Sequence, residues 1–378
     1  MDAKRVLRAI DKPFVAALLM ILALGLLVLA SANRAMASDS LFYVKRQLVA
    51  IAIGAVCAVA LMRSDYSRLS RYSRYVYVAT LVLLLAVLLF GREVRGTQGW
   101  IGLGSRGVQP AELAKVMVVV AFAEFLSSRQ GQLNTLRELL PCFLYVGVPF
   151  ALIMLQPDLG TAMVMVAVMF GMMFVAGASP RVLLGVMAAG AGIIALALFL
   201  HYSFGTWLPL QDYQLMRLSV FLDPYNDGQG GRGAGWNTIQ SLVAIGSGGF
   251  WGKGVFHGTQ VQLNFLPELH TDFIYAVVGE ELGFLGAAGL LVLYWILLSR
   301  ALQVAFLSKD LYGTLCVVGV ATIWLFHVVE NVGMSLGVMP VTGIPLPFVS
   351  YGGSAMLANL LGAGLVLSVN IKGNRSLF

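Results

Sequence analysis

Ten apolar stretches recur along this chain, and they restrict its fold more than any other feature. Each is about as long as a helix needs to be to cross the hydrocarbon core of a bilayer. Because hydrophobic residues make up 59% of the 378 residues and charged residues only 11%, the composition excludes a soluble globule. The sequence therefore predicts an all-α polytopic membrane protein. Its predicted transmembrane helices lie near 14–32, 43–62, 75–91, 110–127, 140–156, 159–178, 181–201, 271–298, 311–337 and 352–371.

The basic residues indicate which side of the membrane each loop occupies. With the N-terminus inside, the short cytoplasmic segments hold most of the 25 Lys and Arg residues, which predicts that both termini are cytoplasmic. A large extracytoplasmic loop, about residues 202–270, then joins helices 7 and 8. The net charge of +7 follows from this topology and from contact with anionic lipid, and it carries no nucleic-acid signal. The cytoplasmic residues are Lys4, Arg5, Arg8, Lys12, Arg63, Arg68, Arg71, Arg74, Arg129, Arg137, Arg181, Arg300, Lys309, Lys372 and Arg375.

Nothing in the sequence divides the chain into smaller units. It has no internal repeat and no low-complexity tract, so we treat residues 1–378 as a single domain. Cys57, Cys142 and Cys316 lie in apolar stretches at unrelated spacings, which indicates packing rather than zinc binding or a disulfide. Because no soluble catalytic domain is present, any active site must be built from transmembrane helices and outer loops.

Asp272, Glu280 and Glu281 lie where the long loop re-enters apolar sequence, in LPELHTDFIYAVVGEELG, residues 266–283. Asp272 follows Thr271, a good N-cap residue, so we expect Asp272 in the first turn of the eighth helix, where the macrodipole stabilises its charge. Helix stability alone explains such an aspartate; the alternative is a general base for an outer-leaflet substrate. Glu280 and Glu281 lie deeper, where an acid without a partner is costly and indicates function. One is a candidate to face a cavity while the other pairs with a buried donor.

The sequence TQGWIGLGSRGVQPAELAKVMVVV, residues 97–120, joins a predicted loop to the start of the fourth helix. Pro110 suits a first helical turn, so Glu112 and Lys115 become i,i+3 neighbours on one face. One interpretation is a neutralised ion pair that lets the helix begin in the membrane interface. The other is the charged wall of a hydrated cavity for a polar substrate. Trp100 is either an interfacial anchor or a platform on which a sugar stacks.

Two further segments place charged side chains on the outer side. Asp158 in QPDLGT is either the N-cap of a helix after a short turn or part of a site shared with Glu112 and Asp272. The long loop carries Arg217 ahead of glycines that permit tight turns. Within that loop, residues 236–252 predict an amphipathic helix that lies on the surface or re-enters the membrane.

The segment NVGMSLGVMPVTGIPLPFVSYGGSAM, residues 331–356, is broken by prolines and glycines between the last two predicted helices. Irregular backbone at membrane depth is tolerated only where it is buried in protein or lines a watery cavity. We therefore expect this segment to form a cavity wall near the outer surface.

Taken in order, the motifs resemble those of the SEDS family (shape, elongation, division and sporulation). The matching segments are GWIGLG, QPAELAK, QPDLGT, FLDP, GWNTIQS, AIGSGGFWGKG, LPELHTDFIYAVVGEELG and VTGIPLPFVSYGGS. PVTGIPLPFVSYGGS is more similar to the rod-shape branch of the family than to the division branch. The resemblance covers essentially the whole chain. It implies ten transmembrane helices in the bacterial inner membrane, with both ends cytoplasmic.

The resemblance also implies an activity. Family members are peptidoglycan glycosyltransferases that polymerise lipid II and work with a class B penicillin-binding transpeptidase; other membrane proteins of the elongation machinery are further expected partners. Two basic residues often precede the family's loop tryptophan, whereas Gln98-Gly99 stand there in this chain. By this resemblance, Asp272 corresponds to the family's essential aspartate, and Glu112 with Lys115 corresponds to its charged pair. Asp158 corresponds to the acid of its QPDLGT motif, and Trp100 to its loop tryptophan.

The mechanism that follows is an inverting glycosyl transfer. We expect Asp272 to accept the proton of the acceptor GlcNAc 4-hydroxyl, whose oxygen attacks C1 of the donor MurNAc while the lipid pyrophosphate leaves. Arg217 and Lys115 are candidates for neutralising the pyrophosphate. A divalent cation, Mg²⁺ or Mn²⁺, held by acids such as Asp158 is another candidate, and we expect no organic cofactor. The rival functions are a lipid II flippase and a non-catalytic scaffold of the elongation machinery.

Overall fold

The computed structural model describes residues 10–34, 41–94, 97–103, 106–208, 212–263 and 265–373. These residues form fourteen helices and one antiparallel sheet of three strands. The elements are α1 (Lys12–Arg34), α2 (Phe42–Arg63), α3 (Tyr66–Arg71), α4 (Ser73–Phe90), β1 (Arg92–Val94), β2 (Thr97–Leu103), β3 (Arg106–Val108), α5 (Pro110–Ser127), α6 (Leu136–Met154), α7 (Leu159–Val175), α8 (Pro180–Phe204), α9 (Asp212–Leu222), α10 (Trp236–Gly248), α11 (Thr259–Gln262), α12 (Ile274–Leu307), α13 (Leu311–Ser335) and α14 (Gly353–Gly373).

Ten of these helices coincide with the ten predicted transmembrane stretches: α1, α2, α4 to α8, and α12 to α14. Eight of the ten are long and apolar enough to cross a membrane by length and composition alone. The other two are α7, which has 17 residues, and α5, which carries Glu112, Lys115 and Glu124. The predicted fold class, a polytopic helical membrane protein, is confirmed.

Contacts at one face of the bundle tie the beginning of the chain to α12 and its end to α2. Asp11 accepts a hydrogen bond from Nε of Arg300 at 3.0 Å, and Nζ of Lys372 donates to the carbonyl of Arg63 at 2.7 Å. The start of α1 and the end of α14 therefore lie on the same side, as an even number of crossings requires. That side carries the basic loops that charge assigns to the cytoplasm. Lys4, Arg5, Arg8 and Arg375 lie outside the described residues.

Burial differs strongly among the helices and separates a core from a lipid-facing periphery. In their most apolar stretches, 72% of the residues of α13 and 83% of those of α14 are buried, whereas only 6% of those of α8 are buried. Helix α13 packs against α5, α7, α12 and α14, with Trp324 among its fully buried side chains. Because lipid covers the exposed apolar faces of a membrane protein, α8 lies at the edge of the bundle.

The small sheet between α4 and α5 was not predicted. Strand β2 pairs with β1 through Trp100 and Arg92, and with β3 through Ile101 and Val108. The prediction of a loop before the fourth transmembrane helix is wrong for β2 and β3. The glycines at positions 99, 102, 104 and 107 conceal the alternation of apolar and polar residues on which strand prediction depends.

Helix α12 is broken at Gly283, whose φ of 65° and ψ of −164° are not helical. The break deprives the carbonyls of Glu280 and Glu281 of their usual helical donors, which is costly in a membrane. The backbone amides of Lys253 and Gly254 replace those donors, at 3.0 and 2.9 Å. A segment of the outer loop is thereby inserted into the hydrogen-bond ladder of a transmembrane helix.

Glycine is required where these two backbones touch. A Cβ atom on Gly252 (φ 78°) would lie 2.2 Å from the carbonyl oxygen of Glu281, and one on Gly283 would lie 2.2 Å from the amide nitrogen of Gly252. On the other side of the break, the amide of Phe284 donates to the carbonyl of Gly249 at 2.9 Å. The pairing of the loop with the broken helix therefore depends on side chains being absent at both positions.

We expect Gly252→Ala to lower stability by about 2–4 kcal/mol, because a left-handed φ and a backbone clash act together. The measurement is the apparent Tm of the purified protein in one detergent. Gly246→Ala is the matched control, since a Cβ there meets nothing within 4 Å and α10 contains the position. Equal Tm values for the two variants would show that the close approach is not required.

Asp227 organises the glycine-rich turn between α9 and α10. Its Oδ1 accepts the amides of Gln229 and Gly231 at 2.9 and 2.8 Å. Its Oδ2 accepts those of Gly233 and Gly235 at 2.7 and 3.3 Å. These bonds, led by the one from Gly231, lower the pKa of Asp227 to about 2, because hydrogen bonds from amides favour the charged form.

We expect Asp227→Asn to increase amide hydrogen exchange across this turn, since an amide NH₂ group faces donors where a carboxylate oxygen accepted them. Because the folded pKa lies below the ordinary 3.8, the native turn keeps its full contribution above about pH 4 and loses it only as pH falls through about 2. Asp223→Asn is the control, because Asp223 accepts one amide, that of Tyr225. Unchanged exchange in Asp227→Asn at pH 7 would contradict this role.

Candidate active site

Asp272 lies in the turn that leads into α12, two residues before the helix begins. The amides of Thr271, Asp272 and Phe273 all donate to the carbonyl of Glu268, at 3.2, 3.0 and 3.3 Å. The hydroxyl of Thr271 also contacts Glu268, and Phe273 occupies the N-cap position. The predictions that Thr271 is the N-cap and that Asp272 lies in the first turn are therefore wrong. Asp272 is half-buried and still precedes the positive end of the helix.

The Pro/Gly segment, residues 339–352 between α13 and α14, holds the turn that carries Asp272. Nδ2 of Asn331 donates to the carbonyls of Asp272 and Ile344, both at 2.8 Å. Oγ of Ser350 donates to the carbonyl of Thr271 at 2.5 Å. The predicted irregular backbone is confirmed, and buried side chains of the helices satisfy its carbonyls.

Asp272 and Arg217 approach this segment at consecutive residues. A Cβ on Gly343, whose φ is 79°, would lie 3.4 Å from Oδ2 of Asp272. Nη1 of Arg217, an exposed residue of α9, donates to the carbonyl of Thr342 at 3.5 Å. The hydroxyl of Thr342 donates to Oε1 of Glu330 at 2.9 Å. A carboxylate and a guanidinium thus flank Thr342 and Gly343.

Glu112 and Lys115 form the ion pair that their spacing predicted, but deep inside the bundle. Nζ of Lys115 lies 2.8 Å from Oε1 of Glu112 and 2.9 Å from Nε2 of His327. Glu112 is 4% exposed and Lys115 is 2% exposed. Nδ1 of His327 lies 3.0 Å from the carbonyl of Pro345. A carbonyl only accepts, so Nδ1 carries the proton and Nε2 accepts from Lys115.

This ion pair is linked to the Asp272 turn through α13. His327 and Asn331 are i,i+4 neighbours on one face of that helix, and they bond the carbonyls of Pro345 and Ile344 respectively. Lys115 and the Asp272 turn are therefore attached to adjacent peptide groups of the Pro/Gly segment. Glu112 and Lys115 also line a narrow, mostly apolar cavity between α5, α13 and α14.

Asp158 is the N-cap of α7. Its Oδ1 accepts from the amide of Thr161 at 3.0 Å, and its Oδ2 accepts from the Thr161 hydroxyl at 2.9 Å. Oδ2 also accepts from Nε2 of Gln109 at 3.2 Å. Because Gln109 immediately precedes α5, the helix-capping interpretation is confirmed and Asp158 joins the start of α7 to the start of the helix that carries Glu112.

Trp100 lies apart from these groups in the small sheet. It belongs to β2, is half-buried, and its ring covers β3, where a Cβ on Gly107 would lie 2.8 Å from Cε3. Its described contacts are with the sheet and not with Asp272. Whether Trp100 stacks on a sugar or anchors in the interface stays a prediction.

Residues 12–375 match the model of the FtsW, RodA and SpoVE family, described as cell cycle proteins. The chain belongs to this family. It is 37% identical over 361 residues to stage V sporulation protein E of Bacillus subtilis, covering 93% of this chain and 94% of that protein. It is 36% identical to peptidoglycan glycosyltransferase MrdB of Escherichia coli, covering 96% and 93%. The SEDS prediction is confirmed, and the predicted enzyme class agrees with the name of the second relative.

Solved structures agree with the fold. One similar chain comes from a peptidoglycan synthase complex, whose structure concerns the coordination of polymerization and crosslinking. The two chains superpose with a TM-score of 0.77 at 35% identity, and the match covers 96% of this chain and 97% of that one. The rod shape determining protein RodA of Thermus thermophilus gives 0.69 at 34% identity, over 96% of each chain. The family and the apolar helices together make this chain a multi-pass protein of the bacterial inner membrane.

The two deep acids of this SEDS protein have separate partners. Oε1 of Glu280 accepts from Nζ of Lys253 at 2.7 Å and from the amide of Gln260 at 2.9 Å. Oε1 of Glu281 accepts from the hydroxyl of Ser31 at 2.5 Å. Both side chains bind the outer loop or α1 at the break in α12. They therefore stabilise the inserted loop, and the alternative that one faces a cavity has no support in these contacts.

A divalent cation has no ligand set of its own within the described ranges. No group of three or more His, Cys, Asp or Glu residues there is placed to hold a metal ion. Both oxygens of Asp158 already accept hydrogen bonds, so this residue does not fit a resident cation. The Mg²⁺ or Mn²⁺ ion stays a prediction.

Sequence reasoning missed several residues that shape the site. His327, Glu330 and Asn331 are buried polar residues of α13, and each bonds the Pro/Gly segment. Their signal was present: three polar side chains within five residues of an otherwise apolar helix indicate a polar surface inside the bundle.

We expect Lys115→Met to lower stability by about 3–5 kcal/mol, because Glu112 would be left as a buried charge without its cation. The double variant Glu112→Gln with Lys115→Met should recover most of that loss, since neither ion remains. Thermal unfolding of both purified variants is the measurement. A double variant as unstable as Lys115→Met would show that the pair contributes nothing beyond packing.

Proposed function

We propose that this SEDS protein polymerises lipid II into glycan strands during cell elongation, by inverting glycosyl transfer with Asp272 as the general base. One observation supports this most directly. Asp272 and Arg217 lie against consecutive residues, Thr342 and Gly343, of a segment whose backbone is fixed by buried side chains. A base and a cation held close together are what transfer from a lipid pyrophosphate needs.

The base is placed by its backbone. The carbonyl of Asp272 accepts from Asn331 and its amide donates to Glu268, so both backbone polar groups of the residue are held. The positive end of α12 favours the ionised carboxylate. That carboxylate takes the proton of the acceptor GlcNAc 4-hydroxyl, the oxygen forms a bond to C1 of MurNAc, and the bond from C1 to the pyrophosphate oxygen breaks with inversion. A base of this kind contributes roughly 10²–10⁴ in rate.

The charge of the leaving pyrophosphate is neutralised by cations of the same region. Arg217 is exposed, and its guanidinium is suited to bidentate contacts with phosphate oxygens. Lys115 is less available, because Glu112 and His327 already bind its ammonium group. We therefore assign the direct contact to Arg217, and to Lys115 the role of holding His327 and the Pro/Gly segment in position.

The assignment to elongation and the partner rest on similarity. PVTGIPLPFVSYGGS resembles the rod-shape branch of the family, and a rod shape determining protein is among the similar structures. Relatives named for sporulation or as FtsW match at comparable identity. A similar chain comes from a complex that couples polymerization to crosslinking, which supports a class B penicillin-binding transpeptidase as the partner.

The decisive experiment is polymerisation of lipid II by the purified full-length protein, with and without the transpeptidase. We expect Asp272→Asn to reduce polymer formation by at least about 10²-fold, because the amide cannot accept the proton while its size is retained. Asp223→Asn is the control, an acid in the outer loop whose contact is a local turn. Full activity of Asp272→Asn would eliminate the base assignment.

The same preparation tests the rival functions. A flippase would move labelled lipid II between the leaflets of proteoliposomes without making polymer, and a scaffold would do neither. Either outcome with wild-type protein and its partner would overturn the proposed polymerase.

A further inference from the structure

A polar cavity lies on the opposite, cytoplasmic side of the bundle, where α4 begins and α5 ends. Its volume is about 550 Å³, within the range of small-molecule sites. Arg71, Arg74 and Arg129 line it, and they come from three places: α3, α4 and the turn after α5. None of the outer-side chemistry involves this cavity.

The three guanidiniums have no carboxylate partner among the described residues. Arg71 and Arg74 are exposed. Arg129 lies over the ring of Phe125, 3.8 Å from its centroid, with a 3.5 Å contact to the carbonyl of the same residue. Topology alone requires only that basic residues lie on this side. Their convergence on one cavity goes beyond that requirement, because arginines left near one another repel unless an anion lies between them.

One carboxylate and several hydroxyls also line the cavity. Oε2 of Glu124 accepts from the hydroxyl of Ser70 at 2.6 Å, and Ser73 lies at the start of α4. Three guanidiniums and one carboxylate leave a net positive charge of two. The arginines suit a phosphate group, whereas Glu124 repels a bare anion and accepts hydrogen bonds from hydroxyl groups. The preferred ligand therefore carries both a phosphate and hydroxyls.

The position of the cavity identifies the source of such a ligand. Helices α4 and α5 are transmembrane, and the cavity lies where both reach the cytoplasmic face, at the level of the inner-leaflet head groups. We propose that it binds the head group of an anionic phospholipid of the phosphatidylglycerol type. The phosphodiester contacts Arg71, Arg74 and Arg129, and a head-group hydroxyl donates to Glu124.

The test compares lipid binding by the full-length protein and two variants. In native mass spectrometry of protein mixed with phosphatidylglycerol or with phosphatidylcholine of the same chain length, we expect wild type to retain phosphatidylglycerol selectively. Arg71→Gln with Arg74→Gln should weaken that retention about 25-fold, since each of the two arginines near an anionic surface contributes about a factor of five. Arg181→Gln is the matched control: Arg181 is exposed at the cytoplasmic start of α8 and does not line the cavity.

Three results would overturn the proposal. Equal retention of the two lipids by wild type would remove the selectivity, and equal loss in Arg181→Gln would reduce it to overall charge. If inorganic phosphate raised the apparent Tm as much as phosphatidylglycerol does, a soluble phosphate compound would be the ligand. The Tm of the double variant in phosphatidylcholine alone checks that this variant folds. If the double variant does not fold, the single variant Arg74→Gln is tested in its place.

Discussion

The candidate site depends on how the irregular backbone of residues 339–352 is satisfied inside the membrane. An unpaired carbonyl there costs several kcal/mol, so each must find a donor. His327 and Asn331 supply donors to Pro345 and Ile344, and the hydroxyl of Tyr294 supplies one to Pro347. Because these donors are side chains on packed helices, they hold the segment in place, and Asn331 joins it to the turn bearing Asp272.

The same requirement explains the break in α12. A transmembrane helix cannot lose two hydrogen bonds within the membrane unless other backbone groups replace them, and the loop at Lys253 and Gly254 does so. Glu280 then fixes that loop through the ammonium of Lys253. Glu280 and Glu281, the pair of acids inside this membrane helix, therefore have a structural role. A charged residue at membrane depth does not by itself indicate catalysis, and the catalytic role of Asp272 is a proposal.

How much the sequence predicts differs between levels. Eight of the ten helices follow from apolar length and composition alone, because bilayer thickness fixes the length that is needed. The spacing of Glu112 and Lys115 predicts their contact, because i,i+3 neighbours share a helix face. The start of α12 could not be predicted in the same way. Thr271 has a side chain suited to an N-cap, but the amides of residues 271–273 donate to the carbonyl of Glu268, and the helix begins later. Contacts between residues distant in sequence, such as that of Asn331 with the carbonyl of Asp272, leave no local pattern in the sequence.

Helix α5 connects the two faces of the molecule. Its outer turns carry Glu112 and Lys115, whose charges are compensated by each other and by His327, and its inner end carries Glu124 beside the arginine cavity. A rigid helix of 18 residues that is buried along most of its length cannot shift at one end without moving the other, because packed interiors leave no room for independent adjustment. The helix that borders the arginine cavity is therefore the same rigid element that holds Lys115 against His327.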